Sequence, residues 1–575
     1  EWVETPVTIP GAEGDQTTNY IVATATYNKV LKPGELTEIS LSQIALDPSA
    51  GNADIEGFGE TYQILVKTQA VQTAGFESAD EALNKGFGEI TTTTIPWESD
   101  SPIRGIDLRT ALHHLNGDTN NVITKNVTNV VFALNKEYPE IVNSYDGTLV
   151  DVEQDVDVYA YYVPNGSNYD IYFLADSTIY SPKDSRTLFA YMTALTSVDT
   201  GNFDVSRVET MRRMFRECGK LQTIDVSTWQ TGRTTDMNGM FYKCGSLSEM
   251  DVSGWDTALV RDMSLMFRNC VNLNALDTTN WDVGNVTAMT AMFAFCNKLS
   301  SLEVGNWDVG NVTDMNGMFG YCYNLRTLDV SNWDTGKVTS FSAMFQGNQN
   351  QGNMNIENLD VSNWDTSSCT AMNHMFYSCG QLKELDMSNW DVSKVTTFSH
   401  MFADCFKMER LDFTGWDTNS CTDMNGMFNN CNSIPYLDVS SFDTQKVVDF
   451  GQMFEACYSL KEIKGLENWD TSSAVSFFEM FTSTQLTTLD LSAFETSTVE
   501  WFHFMFSGNS KLKTIYVSHD WDTSKATEQG GMFGGCGSLI GGNGTTYNST
   551  ITDATYAHID TPDNPGYFTH IDDKA

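Results

Sequence analysis

From Met214 onward the chain repeats one hydrophobic pattern. In residues 325–348, Leu325, Leu328 and Val330 alternate with polar positions, so the stretch reads as a short strand. Leu328 and Val330 would point inward and Asp329 outward. Trp333 follows five residues after Leu328. Val338, Phe341, Met344 and Phe345 then fall on one face of a short helix. Each repeat is therefore expected to be strand, turn, short helix, turn. The dipeptide Met-Phe recurs thirteen times between Met214 and Met532, mostly 26 residues apart. The slot of Trp333 holds only Trp or Phe, from Phe203 to Trp521, which marks it as buried. A fixed period of this size predicts an α+β repeat fold, a leucine-rich-repeat-like solenoid of about 13 coils. The aromatic and Met-Phe columns read as a stacked core rather than a ligand stripe.

The period divides the chain. Residues 1–18 form an N-terminal arm in which Val3, Val7 and Ile9 share one parity, so it can pair as a strand. Residues 19–145 read as a β-rich domain, with strands expected over 19–31 and 61–72. Short helices are expected from the capping box Ser78 to Glu81 and over 106–115. Residues 146–187 alternate like strands and should cap the first coil's open edge. The repeats occupy 188–538, and 539–575 read as a C-terminal cap or tail. Between Met344 and Met375 the period lengthens to 31 residues, through a polar insertion containing Gln349 and Asn350. It should bulge outward as a loop and is a candidate binding element.

Composition changes the picture in two ways. The formal net charge is −42, from 75 acidic and 33 basic residues, which excludes nucleic acid and an anionic membrane as partners. No apolar run approaches the ~20 residues that span a bilayer, so no membrane insertion is expected. No secretion signal is visible at Glu1, so the chain is expected to be a processed or trimmed product. All twelve cysteines lie within the repeats, ten of them four residues after the Met of Met-Phe. Equivalent slots in adjacent coils point the same way, whereas a disulfide needs side chains aimed at each other. Reduced, buried thiols are expected.

Two acidic columns stand out. Asp225, Asp251, Asp277, Asp329, Asp360, Asp386, Asp412, Asp438 and Asp490 share one outward strand slot, with Glu303 in the series. Like charges on neighbouring strands repel, so their recurrence needs a reason. Local hydrogen bonding to the turn is one; a cation or a basic partner on an acidic face is another. Asp225, Asp251, Asp329, Asp360, Asp386, Asp412 and Asp438, with Gln349 and Asn350, are thus the candidate binding residues. No cofactor is expected, and Ca2+ is the one cation the column would admit. The second column, from Asp256 to Asp522, follows the aromatic slot and reads as a structural turn device. No metalloprotease, nucleophile-elbow or phosphate-loop motif occurs, and His113 and His114 lack a metal-ligand spacing. No enzyme is expected.

Leu328-Asp-Val-Ser-Asn-Trp-Asp-Thr-Gly-Lys-Val-Thr339, followed by Met-Phe, resembles the 26-residue repeat of bacterial surface proteins, a BspA-like branch of the leucine-rich repeats. Val163-Pro-Asn-Gly-Ser-Asn-Tyr-Asp170, Ser181-Pro-Lys-Asp184 and Asn564-Pro-Gly-Tyr-Phe568 look like that family's borders. The resemblance implies a secreted or wall-attached bacterial protein acting in adhesion. Its partner would be a host or microbial surface protein or glycan. No wall-sorting motif of the LPxTG type is present in this chain. Leu31-Lys-Pro-Gly-Glu35 and the stretch from Gly59 to Phe76 are similar to TasA/camelysin-type secreted proteins. That likeness implies a jelly-roll-like domain and, as the alternative function, a fibre subunit. In that reading the chain forms a homopolymer, and Val3, Val7 and Ile9 carry assembly by strand exchange, as in a biofilm-matrix filament.

Overall fold

The structure, a computed structural model, describes residues 2–8, 19–25, 106–113, 126–151, 157–348 and 352–574. The chain divides into two compact units, Glu1–Pro102 and Ile103–Ala575. In the first, β1 (Trp2–Thr8) pairs antiparallel with β2 (Asn19–Ala25), with Val3 opposite Thr24 and Val7 opposite Tyr20. The expected arm is therefore half of a hairpin, already paired within its own chain. Ile9, the strand expected over 61–72 and the helix from Ser78 lie outside the described residues.

The second unit opens with a seven-stranded mixed sheet. It is built from β3 (Ile106–Asp107), β4 (Val127–Leu134), β5 (Thr148–Asp151), β6 (Val158–Asn165), β7 (Asn168–Ala175), β9 (Ser197–Asp199) and β11 (Thr223–Ile224). Its spatial order is β11-β9-β4-β7-β6-β5-β3. The cap thus begins well before residue 146, because β4 sits in the centre of this sheet, parallel to both β7 and β9. Through β9 and β11 the same sheet runs on into the first repeats. Beside it, β8 (Ile179–Tyr180) pairs parallel with β10 (Phe203–Asp204). α1 (Leu108–His113) falls within the helix expected over 106–115, whose first two residues instead form β3, and residues 114–115 lie outside the described residues; α2 (Pro139–Ser144) starts on a proline that presets its first turn.

The repeats that follow bond to one another in parallel. A continuous row of bridges runs from Asp184 through Thr210, Asp236 and Asp262 to Trp501 and Glu528. Short parallel pairs add to it: β12 (Ala275–Leu276) with β13 (Ser301–Leu302), β14 (Tyr436–Asp438) with β15 (Glu462–Lys464), and β16 (Thr488–Asp490) with β17 (Thr514–Val517).

The short helix expected in each repeat does not form. Over 211–218 the N–H groups of Met211, Arg213, Phe215 and Glu217 donate to Asp236, Asn238, Met240 and Tyr242 of the next repeat, at 2.7–2.9 Å. The residues between them close tight turns: Met214 donates to Met211, Arg216 to Arg213 and Cys218 to Phe215. An α-helix needs every N–H for its own i−4 carbonyl, and here alternate ones are spent on the neighbour. The alternation requires left-handed residues, Arg213 at φ 56° and Glu217 at φ 61°. Such positions cost a non-glycine residue about 1 kcal/mol or more, offset here by the interrepeat bonds.

The side chains behind this backbone form columns. Phe189, Phe215, Phe241, Phe267 and Phe293 stack with ring centroids 4.8–5.7 Å apart. Trp229, Trp255, Trp281 and Trp307 stack at 6.1–6.3 Å with nearly parallel planes. Each fully buried Met, Phe or Leu contributes roughly 1.5–3 kcal/mol. All twelve cysteines are free and buried, ten of them in the shared slot whose parallel orientation predicts this. The Cys218 and Cys244 thiols donate to Phe189 O and Phe215 O at 3.0 and 3.1 Å. Burial pushes the Cys218 thiol up to about 12, so it stays protonated. Both ends of the column are covered. Phe132 stacks on Phe173 and Phe203 at the first end. At the other, Tyr567 and Phe568 pack edge-on against Phe533, and β18 (Thr569–His570) pairs parallel with β17.

The Trp column contains an internal control. Trp281 Nε1 donates to Val252 O at 3.1 Å, whereas the buried Nε1 of Trp416 has no partner among the described residues. Trp281→Phe should therefore destabilise the repeats by about 1 kcal/mol more than Trp416→Phe, which removes an unsatisfied donor. Trp281→Ala should cost about 3–5 kcal/mol through the cavity it opens. Urea unfolding followed by circular dichroism reads both; equal costs for the two Phe variants would contradict the hydrogen-bond assignment.

Candidate functional site

The outward strand face carries the candidate site. In the first repeats Leu221, Ile224 and Val226 are buried while Thr223 and Asp225 face solvent. The parallel register sets Thr223 beside Ser197 and Ile224 beside Val198, so Asp225 follows in line with Asp199. Five carboxylates, those of Asp199, Asp225, Glu249, Asp251 and Asp277, line one groove of about 860 Å³ with Thr223 and Thr228. Of the candidate residues, Asp225 and Asp251 meet in this groove. Asp329, Asp360, Asp386, Asp412 and Asp438 continue the same slot in later repeats and do not line it. Gln349 and Asn350 lie outside the described residues. On either side of them Asn348 and Gly352 exchange reciprocal backbone bonds at 3.0 and 2.8 Å.

Local chemistry accounts for carboxylates standing in line. Asp225 Oδ1 accepts from the N–H and the hydroxyl of Ser227 at 3.1 and 2.6 Å. Asp251 does the same with Ser253, Asp329 with Ser331, Asp360 with Ser362 and Asp386 with Ser388. The serine hydroxyl, then its N–H, holds the carboxyls of Asp225, Asp251, Asp329 and Asp386 below the usual range. For Asp412 the N–H of Thr414 leads. Asp438 is lowered to about 2, chiefly by the hydrogen bond from Lys464, 2.8 Å away. Each such turn commits one oxygen inward. Among the described residues Oδ2 of Asp225 and of Asp251 accepts no hydrogen bond, so these two members of the column present an oxygen to solvent, whereas Oδ2 of Asp438 accepts from Lys464. No three His, Cys, Asp or Glu side chains come together as a metal-holding group among the described residues.

The second acidic column serves the turns. Asp282 and Asp308 accept from the N–H two residues on, that of Gly284 and Gly310. Their repeats also lock to the preceding ones: the buried Thr257 hydroxyl donates to Asp282 O at 2.8 Å.

Sequence reasoning passed over a third polar group. In the later repeats Asp404 accepts from Asn430 at 2.7 Å, Asn429 donates to Glu455 at 2.6 Å and Gln452 to Glu479 at 2.9 Å. His374 and His400 stack nearby in sequence at 5.1 Å. These residues follow or precede Met-Phe at positions without a fixed residue type, so no recurring letter announced them. Burial, with the Glu479 charge second, pushes Glu455 up to about 7.

One protein family matches this chain, described as "Mycoplasma protein of unknown function, DUF285", over residues 183–301, 272–363, 350–463 and 431–547. These overlapping matches cover well over half of the sequence, and the chain belongs to this family. No curated protein matches it. Among the described residues no helix is long and apolar enough to cross a membrane.

The raised Glu455 carboxyl links stability to pH. Its ordinary value is 4.5, so the fold favours the neutral form: the contribution is complete below about 4.5 and is lost as pH rises through about 7. Glu455→Gln should leave thermal stability near wild type at pH 4.5 and raise it at pH 8. A gain of about 1–2 kcal/mol is expected after allowance for solvent screening. Melting curves across that range check it; a gain independent of pH would refute the linkage.

Proposed function

We propose that this chain, as a member of that repeat family, is a secreted or cell-surface bacterial adhesion protein whose repeats form a BspA-like, leucine-rich-repeat solenoid. In this reading the strand face binds a basic patch on a host or microbial surface protein. The observation that carries the proposal is the groove holding Asp199, Asp225, Glu249, Asp251 and Asp277. The carboxylates of Asp199, Asp225, Asp251 and Asp277 are held in place by their own turns, so binding costs little side-chain ordering. Their field favours cationic partners and speeds encounter. The role is non-enzymatic.

The fibre reading, with the chain as an extracellular homopolymer, rests on the hairpin at the chain's start. Exchange would require β1 to leave β2 and pair with the β2 of another copy, trading seven residue pairs for the same seven.

Binding of the whole chain to immobilised mucin, matrix protein or cells tests the first reading. Asp225→Asn, Asp251→Asn and Asp277→Asn together should weaken it about tenfold or more, with a salt dependence that the variant loses. Binding should weaken as pH falls below the ordinary carboxylate range, where the lowered Asp225 and Asp251 carboxyls at last take up protons. Unchanged binding in the triple variant would reject the acidic face. For the fibre reading, electron microscopy with and without residues 1–18 decides: filaments in both samples, or in neither, would reject strand exchange by this arm.

A further inference from the structure

At the first repeats the chain carries a second groove of opposite character. It measures about 560 Å³ and is lined by Lys183, Ser206, Arg207, Gln230 and Arg233, with no carboxylate in its wall. In a chain of net charge −42 that is a local reversal. It lies in a stretch where the acidic excess of the chain disappears. Eight of the chain's twelve arginines lie between Arg186 and Arg268, and residues 183–268 hold eleven basic against eleven acidic side chains.

The repeat pattern explains how the reversal is made. Arg207 and Arg233 occupy one slot, three residues after the turn carboxylate of the second acidic column. In the following repeats that pairing reads Asp256 with Leu259, Asp282 with Asn285, and Asp308 with Asn311. Beside Arg233 the turn position holds Gln230, so the acid is missing where the cations gather. The carboxylate before Arg207, Asp204, is turned to the N–H of Ser206 at 2.7 Å.

The same slot has a structural duty elsewhere that the two arginines do not perform. Asn285 donates to Ala258 O at 2.8 Å, Asn311 to Gly284 O at 2.7 Å, Ser368 to Gly336 O at 2.7 Å, and Lys394 to Ser367 O at 2.7 Å. Each ties its repeat to the one before. Among the described residues the side chains of Lys183, Arg207 and Arg233 make no such bond and no ion pair. Arg207 instead lies over the Tyr180 ring, 3.8 Å from its centroid, which fixes its direction without using its hydrogen-bond donors. Two guanidinium groups and an ammonium are thus left with their donors unspent around one cavity.

We propose that this groove is an oxyanion-binding site, built for a phosphate or sulfate group. Guanidinium forks match the oxygen pairs of a tetrahedral anion, and the lysine supplies a third point charge. The rest of the molecule limits the ligand's size. A long polyanion leaving the groove would meet acidic columns on the same repeats, so the bound species is compact: a free anion, or an ester group on a sugar. This inference does not depend on the adhesion reading or on the acidic face.

Calorimetric titration of the full chain at low salt tests it, with inorganic phosphate, glucose 6-phosphate and a sulfated disaccharide as probes. One saturable site is expected for at least one probe. R207Q with R233Q should weaken it at least tenfold, and K394Q, an exposed cation with a structural bond, should leave it unchanged. Equal affinity for inorganic phosphate and the sugar phosphate would mark free phosphate as the ligand; tenfold tighter binding of a sugar ester would mark a decorated glycan. The proposal fails if no probe saturates, or if K394Q weakens binding as much as the double variant. If the double variant loses its native circular dichroism, K183Q replaces it under the same criteria.

Discussion

Alternate backbone N–H groups in each repeat reach forward to the next repeat, and the others close turns at home. Met211, Arg213, Phe215 and Glu217 show the pattern, and it recurs with the period of the chain. This division makes a single repeat unable to satisfy its own backbone, so one copy has no stable fold by itself. It also fixes the register. Once Phe215 N–H is bonded to Met240 O, the two Phe rings must lie over one another, as must the Trp rings and the thiols. The left-handed residues, twenty-one of them not glycine among the described residues, are held because the interrepeat bonds leave the backbone no cheaper path.

Covering the ends is the second demand of this arrangement. A repeat with no neighbour exposes both an aromatic stack and a row of unpaired backbone groups. At the first end a larger sheet extends into the array, sharing β4, β9 and β11, so array and cap are one continuous structure. At the other, the last residues return to add β18 beside β17, while Tyr567 and Phe568 close the Phe column. The two ends solve the same problem with different amounts of chain.

Charge is arranged around this frame by the turns. Aspartates recur in two slots because each can bond the N–H two residues on, and that local gain outweighs the repulsion between neighbours screened by water. At Asp225 and Asp251 the second oxygen is left to solvent, which makes an acidic face a by-product of turn chemistry and a surface open to use. At the first repeats the rule is broken by Gln230 and by arginines, and the surface changes sign within a few residues.

The period, the buried slots and the turn role of the second Asp column were legible in the sequence, because a stacked repeat demands the same residue at the same place each time. Leu328, Trp333, Met344 and Cys322 are all buried. The absence of disulfides followed for the same reason, since stacked side chains point in parallel. The helix expected through Val338, Phe341 and Met344 was not legible. Its spacing of apolar residues suits a helix and a ladder of tight turns equally, and only the neighbouring repeat decides between them by taking half of the N–H groups. The extent of the cap was hidden similarly: β4 reads as an ordinary strand, and its partners β7 and β9 are set by long-range pairing. Which charges meet was also a tertiary outcome. Asp225 and Asp251 carry the same letter as Asp329, yet only the first two line a groove with Asp199 and Glu249. The sequence determined the repeat and its inward faces, because burial selects residue type slot by slot. The tertiary structure decided backbone conformation and surface sites, because both depend on what the adjacent repeat supplies.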